Sequence, residues 1–315
     1  MNDDYLWDRS GPPDEEIQDL EELLGQFRRR PLAAKRKLVF RWPLAAAAML
    51  AIALAAGWLF QSVHSTDLRT GWSLTINGSK AAPLHAGQVI ETDANTQAMV
   101  EAGEIGEVQI DRQSRFRLEK AGKNEQRFLL DHGTIHALIW APPTQFVVDT
   151  PAAKTVDLGC RYTLSVSADG SGELTVEMGW VAFEWRGIES FIPEGARCIT
   201  HAGRGPGTPY FLDAPKALTD ALERFDRDGD RAALETAITT ARKHDALTLW
   251  HLLKRTEGTE RAEVFDRFAS LVSLPPVANR EAILQGNQPA FDAAWDALNL
   301  GDTAWWREWK RPWPR

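Results

Sequence analysis

Few residues in this 315-residue chain have a type and spacing that could do chemistry, and most of those read more simply as structure. Cys160 and Cys198 are the only two cysteines. Each falls at a predicted strand end, so a bridge between neighbouring strands is the expected pairing, with two separate buried thiols as the alternative. Closing a loop of roughly 38 residues would add about 3–4 kcal/mol. His132 and His136 lie four apart in a predicted turn and strand, but two histidines without a third ligand at diagnostic spacing make a weak metal site. Asp226-Arg-Asp228-Gly229-Asp230 has the composition of a calcium loop and the wrong spacing. Its sixth position is Arg231 where glycine is needed, and its twelfth is Ala237 where a bidentate acid is needed. A helix end followed by an aspartate cap explains it better.

No nucleophile elbow, phosphate-binding loop, dinucleotide fingerprint or metalloprotease helix occurs in the sequence. The expectation is therefore a binding protein and not an enzyme, with no catalytic residue, no cofactor and no metal. Asn77-Gly78-Ser79 fits a glycosylation sequon, yet Asn-Gly is fully explained as a hairpin turn.

The elements that must position these residues are announced by charge. The formal net charge is −8, but it is unevenly spread. Residues 1–27 carry nine acids against Arg9, and the next fourteen carry seven bases and no acid, from Arg28 to Arg41. Pro43 to Phe60 then run for eighteen residues without a charge. At 1.5 Å rise per residue this is about 27 Å, near the hydrocarbon thickness of a bilayer. Trp42, Trp58 and Phe60 sit where interfacial aromatics belong. Residues 42–61 are thus expected as a transmembrane helix, in preference to a buried core helix or a cleaved signal peptide. The basic block places residues 1–41 in the cytoplasm and the remainder outside, in a bacterial inner membrane.

Within the cytoplasmic tail, Ile17, Leu20, Leu24 and Phe27 form one stripe of a short helix. Asp14–Glu16 and Arg28–Arg30 complement the two ends of its dipole. With Trp7 upstream, this stripe is the candidate surface for a cytoplasmic partner, the alternative being a juxtamembrane helix folded on itself or on the lipid.

From Thr70 to about Pro209 the apolar period changes to two. Trp72–Ile76, Val108–Asp111, Phe116–Glu119, Arg127–Leu130, Thr134–Trp140, Gln145–Asp149, Tyr162–Val166, Glu173–Met178 and Val181–Trp185 read as strands. Short strands with turns every 8–12 residues argue an all-β sandwich or roll. Here Phe146-Val-Val-Asp-Thr-Pro151, Val156-Asp-Leu-Gly159-Cys160-Arg-Tyr162, Leu174-Thr-Val-Glu-Met-Gly179-Trp-Val181 and Ile192-Pro-Glu-Gly195 appear in order. This series resembles the periplasmic domain of the FecR family, as does the upstream Leu84–Thr92. Cys160 and Tyr162 stand where the family usually has Thr and Phe, and Ala152-Ala153 where it usually has Gly. The resemblance implies an envelope signal passed to a cytoplasmic sigma factor or other regulator. Signalling members carry several cytoplasmic helices, whereas this tail has room for one.

After a Gly- and Pro-rich segment, His201–Pro209, the apolar spacing becomes helical. Leu218, Leu222 and Phe225 form one stripe, and Leu247, Trp250 and Leu253 another. Five to seven short helices are expected, arranged as a bundle or small helical repeat without clean self-similarity. The tail ends with Trp305, Trp306, Trp309 and Trp313 interleaved with Arg307, Lys310, Arg311 and Arg315. These tryptophans are the candidate interface, either packing on the protein or meeting a membrane surface, an envelope protein or a glycan.

The predicted layout is multi-domain: 1–41 cytoplasmic tail, 42–61 transmembrane helix, 66–209 FecR-like β domain and 210–315 all-α domain. Its expected partners are the lipid bilayer and proteins on either side, not nucleic acid. The competing reading is an envelope scaffold or adhesion module with a simple anchor.

Overall fold

The computed structural model describes residues 72–301. All the described residues belong to the second of the chain's two units, Thr66–Arg315. The tail stripe with Trp7, the candidate span 42–61 and the tryptophans from Trp305 to Trp313 lie outside the described residues. Among the described residues no helix is long and apolar enough to cross a membrane.

Among the described residues sixteen strands form two faces that share one strand. The shared strand is β7, Glu125–Ile139. Its first half pairs with β6 (Arg115–Gly122) and, in parallel, with β8 (Phe146–Asp149). Its second half pairs with β5 (Gly106–Ile110) and β10 (Arg161–Val166). The first sheet continues from β8 through β9 (Lys154–Asp157) and β12 (Trp180–Trp185) to β13 (Ile188–Pro193), with β3 (Val89–Glu91) beyond β6. The second runs from β1 (Ser73–Ile76) and β4 (Ala98–Ala102) to β5, and from β10 through β11 (Gly172–Met178) to β14 (Ala196–His201).

Along β7 buried and half-buried residues alternate, as they must when only one face is covered. The alternation lapses over Asp131–Thr134, where the strand leaves one sheet for the other. Gly133 sits there with φ +100°, a conformation that side-chain-bearing residues rarely adopt. Asn77 and Gly78 have φ 47° and 77°, the type I′ pattern expected of an Asn-Gly hairpin between β1 and β2 (Ser79–Lys80).

Between the sheets, Phe128 packs at 4.8 Å on Phe116, 5.0 Å on Trp72 and 5.3 Å on Phe146, measured between ring centroids. The Trp72 indole N–H donates to Gln126 Oε1 at 3.0 Å, so the buried ring brings its polar handle with a partner.

Residues 201–209 and 213–215, expected as a linker, belong to a packed connection. β15 (Gly205–Pro206) and β16 (Tyr210–Phe211) both pair with β14. Six α-helices follow among the described residues: α1 (Lys216–Asp228), α2 (Arg231–Thr240), α3 (Ala246–Arg255), α4 (Gly258–Leu271), α5 (Arg280–Leu284) and α6 (Gln288–Asp296). The Asp226–Asp230 segment is the helix terminus and cap read from its spacing. Gly229 closes α1 with φ 71°, and the Asp230 carboxylate accepts from the N–H groups of Ala232 and Ala233 to start α2.

Candidate functional site

Two places in this fold combine buried polar chemistry with close packing, and a third presents an exposed surface. The first is the crossing of β9–β10 and β11–β12. Gly159, φ 86°, turns the chain so that the Asp157 carboxylate accepts from the Gly159 N–H at 2.6 Å and from the Cys160 thiol at 2.6 Å. A Cβ at Gly179 would overlap the Gly159 carbonyl oxygen, so the two glycines let these connections pass. Burial pushes the Asp157 carboxyl up to about 7, against the pull of its two hydrogen bonds. Burial also pushes the Cys160 thiol and the Tyr162 hydroxyl well above their ordinary values, and that hydroxyl has no hydrogen-bond partner among the described residues.

The second is the seam between β13–β15 and the helices. Arg255 donates to Ser190 Oγ at 2.6 Å and to the Gly207 carbonyl at 2.8 Å. The Asp226 carboxylate accepts from Thr208 through its N–H at 2.6 Å and its hydroxyl at 2.7 Å. His251 is fully buried: its Nδ1–H donates to the Leu247 carbonyl, and its Nε2 accepts the Phe191 N–H at 3.0 Å. Burial holds this imidazole neutral by lowering its pKa well below the usual value. A cleft of about 420 Å³ opens beside Arg255, Asp226, Arg204 and Lys254.

The third is the outer face of the second sheet, where Trp140 and Met178 are about half exposed. His136 lies on this face between Asp111 Oδ2 at 3.0 Å and Thr163 Oγ1 at 2.9 Å. His132 sits opposite Arg115 on the other sheet, so the two histidines do not converge. No three metal-ligating side chains gather among the described residues.

Cys160 and Cys198 are both free and buried, which corrects the expected bridge. Cys198 pairs with Leu174 on β11, which pairs with Leu164 on β10. Cys160 is thus two strands across and four residues along from Cys198, about 16 Å at standard sheet spacings and far beyond disulfide reach. Burial also raises the Cys198 thiol to about 12. Both thiols are expected to ignore a maleimide reagent in the native chain and to react, two per chain, in 6 M guanidinium. Gel mobility should be the same with and without reductant. Labelling of either cysteine under native conditions would contradict the packing.

The strand order and the Gly159–Gly179 crossing belong to the stretch from β3 to β12, which holds the ordered sequence motifs except the last, Ile192-Pro-Glu-Gly195, at the end of β13. Residues 88–182 match the FecR protein family. This FecR segment covers under a third of the chain and leaves out β13–β16 and all the helices. No curated protein matches the sequence. Two crystal structures of a candidate anti-sigma factor from Parabacteroides distasonis ATCC 8503, at 1.65 and 2.50 Å, align at 15% identity. Their TM-scores are 0.36 and 0.35, each alignment taking in 44% of this chain and 65% or 64% of theirs. The chain thus spans under two thirds of the length of those structures.

Sequence reasoning placed Cys160, Gly159 and Tyr162 in one motif but missed Asp157 as its buried acid. It also missed the entire seam. No predicted strand covered Asp157, which lies on β9 where three successive residues are buried, and nothing local announced that β12 would cover it.

Proposed function

We propose that this chain is a single-pass envelope protein that relays an external binding event to the cytoplasm, with the FecR segment as part of its exported sensing unit. The observation that carries this reading is the order of parts: an acidic tail, a basic block, eighteen uncharged residues, then the FecR segment at 88–182. A basic block before an apolar stretch orients a span with the tail inside. The outer sheet face and the seam cleft belong to the part placed outside. The apolar stripe of Ile17, Leu20, Leu24 and Phe27, with Trp7, is the contact offered to a cytoplasmic partner. The FecR resemblance makes a sigma factor the partner to test first.

Two measurements test it. Periplasm-active reporter fusions after Gln61 are expected to be active, and cytoplasm-active ones silent; the reverse pattern overturns the topology. Full-length protein captured from crosslinked membranes is expected to retain a sigma factor or another regulator, with Leu20→Asp plus Leu24→Asp removing it. Retention unchanged by that pair would reject the stripe as the relay contact.

A further inference from the structure

We propose that the Trp140 end of the outer sheet face is the docking surface for this chain's own residues 302–315. Across this face one row of neighbours reads Glu107, Leu138, Arg161, Met178. Trp140, two residues beyond Leu138, is 52% exposed and Met178 is 48% exposed. The Trp140 ring is already set in place, its indole N–H donating to the Gly103 carbonyl at 3.1 Å. A hollow of about 240 Å³ opens beside Leu138, two residues back along the strand, with His136, Arg161 and Glu177 on its walls. An anchored but uncovered tryptophan beside an exposed methionine on a sheet face is a surface that gains by being covered.

Charge selects the occupant. Glu107 and Glu177 line this hollow, with Glu101 paired beside Glu107, against one guanidinium, Arg161. Among the described residues Glu107 and Arg161 form no ion pair. A partner that suits the patch is therefore basic and aromatic. Residues 302–315 have that composition: four tryptophans, with Arg307, Lys310, Arg311 and Arg315 against Asp302 and Glu308.

Chain path brings that segment to the patch. Gly301, the residue before it, holds its carbonyl on the Trp295 indole N–H at 2.9 Å. A Cβ at Gly301 would lie 3.2 Å from the Trp180 ring. Trp180 is two residues from Met178, so the segment starts at the same end of the sandwich as the patch. Fourteen residues reach about 46 Å when extended, more than enough to lie across it. A competing groove, about 470 Å³ beside Phe211 and Leu271, has Lys243 and no acid in its lining, and so offers nothing to a basic tail.

The test uses the full-length protein and trypsin, reading cleavage after Arg307 and Lys310 by mass spectrometry. Cleavage of an element that opens transiently follows its open population. Trp140→Ala is expected to speed release of these peptides about tenfold, and Glu177→Lys several-fold. Both side chains are exposed, so the thermal midpoint should not move. Acceleration in either variant supports the proposal. Tail cleavage equal in wild type and both variants overturns it, whether fast, with the tail undocked, or slow, with it held elsewhere. Protection that rises with protein concentration would assign the occupant to a second copy and overturn it as well.

Discussion

Replacing Gly133 with alanine is expected to destabilise the full-length protein by about 3–5 kcal/mol, while Gly87→Ala costs only about 1–2 kcal/mol. Both glycines have positive φ, 100° and 89°, so both variants suffer the same kind of backbone strain. They differ in what a new methyl would meet. At Gly87 there is nothing within 4 Å, whereas at Gly133 the Cβ would overlap both Oγ and Cα of Ser114. Ser114 is fully buried and tied in on several sides: its N–H donates to Thr92 Oγ1 at 2.9 Å, and its Oγ accepts the Thr134 N–H at 3.0 Å. A backbone atom so held cannot retreat as the end of a flexible side chain would. The difference between the two variants in urea midpoint, read at unchanged m-value, isolates the clash from the φ strain. Equal midpoints would mean that β7 does not bend against Ser114 as described.

That bend also shows where local pattern stops being informative. The alternation in Arg127–Leu130 and in Thr134–Trp140 is plain in the sequence, and both segments are strands. The intervening Asp131-His132-Gly133 reads as a turn, since glycine beside polar residues ordinarily ends a strand. The chain instead continues through it as one 15-residue strand that changes sheets. A turn reverses the chain and a bend does not, and composition does not distinguish them. The partners that decide it, β5 and β6, lie elsewhere in the sequence. The Asn77-Gly78 hairpin was legible for the opposite reason, because a two-residue loop and its φ demands are wholly local.

The helices divide the same way. Leu218, Leu222, Leu247 and Leu253 were legible as apolar stripes, and all four are buried. The glycines and prolines of residues 201–209 promise a spacer, and by composition they are one. Their carbonyls instead become acceptors at the seam: Gly207 for Arg255 and Pro209 for the Thr248 hydroxyl at 2.8 Å. Small residues allow this close approach, but only the arrival of α3 gives it a purpose. For the same reason nothing in the sequence singled out His251, although it satisfies an N–H of β13 sixty residues away.

The second large effect is a pH dependence centred on Asp157. Its carboxyl is buried and titrates at about 7 in the folded chain, against 3.8 when unfolded. Between those values the folded state holds a proton that the unfolded state has released, so stability falls as pH rises. The contribution is complete below about pH 3.8 and lost above about pH 7, a change of about 4 kcal/mol at 1.36 kcal/mol per unit. His251 acts in the opposite direction. Its pKa is lowered on folding, so the unfolded state takes up the proton first and stability falls as pH drops below the usual imidazole value. The two slopes oppose each other in mildly acid solution, and a single pH profile would hide both. Asp157→Asn separates them. The amide oxygen can still accept the Gly159 N–H, and the amide N–H can face the Cys160 sulfur, so the crossing keeps its hydrogen bonds without a charge to bury. The His251 contribution is common to both chains and cancels in the difference. The variant is expected to match the wild type near pH 4 and to exceed it by up to about 4 kcal/mol at pH 8, measured by urea unfolding. A wild-type advantage at pH 8 would mean that the ionised Asp157 carboxylate is stabilised where it sits, against the cost of its burial beside an uncharged thiol.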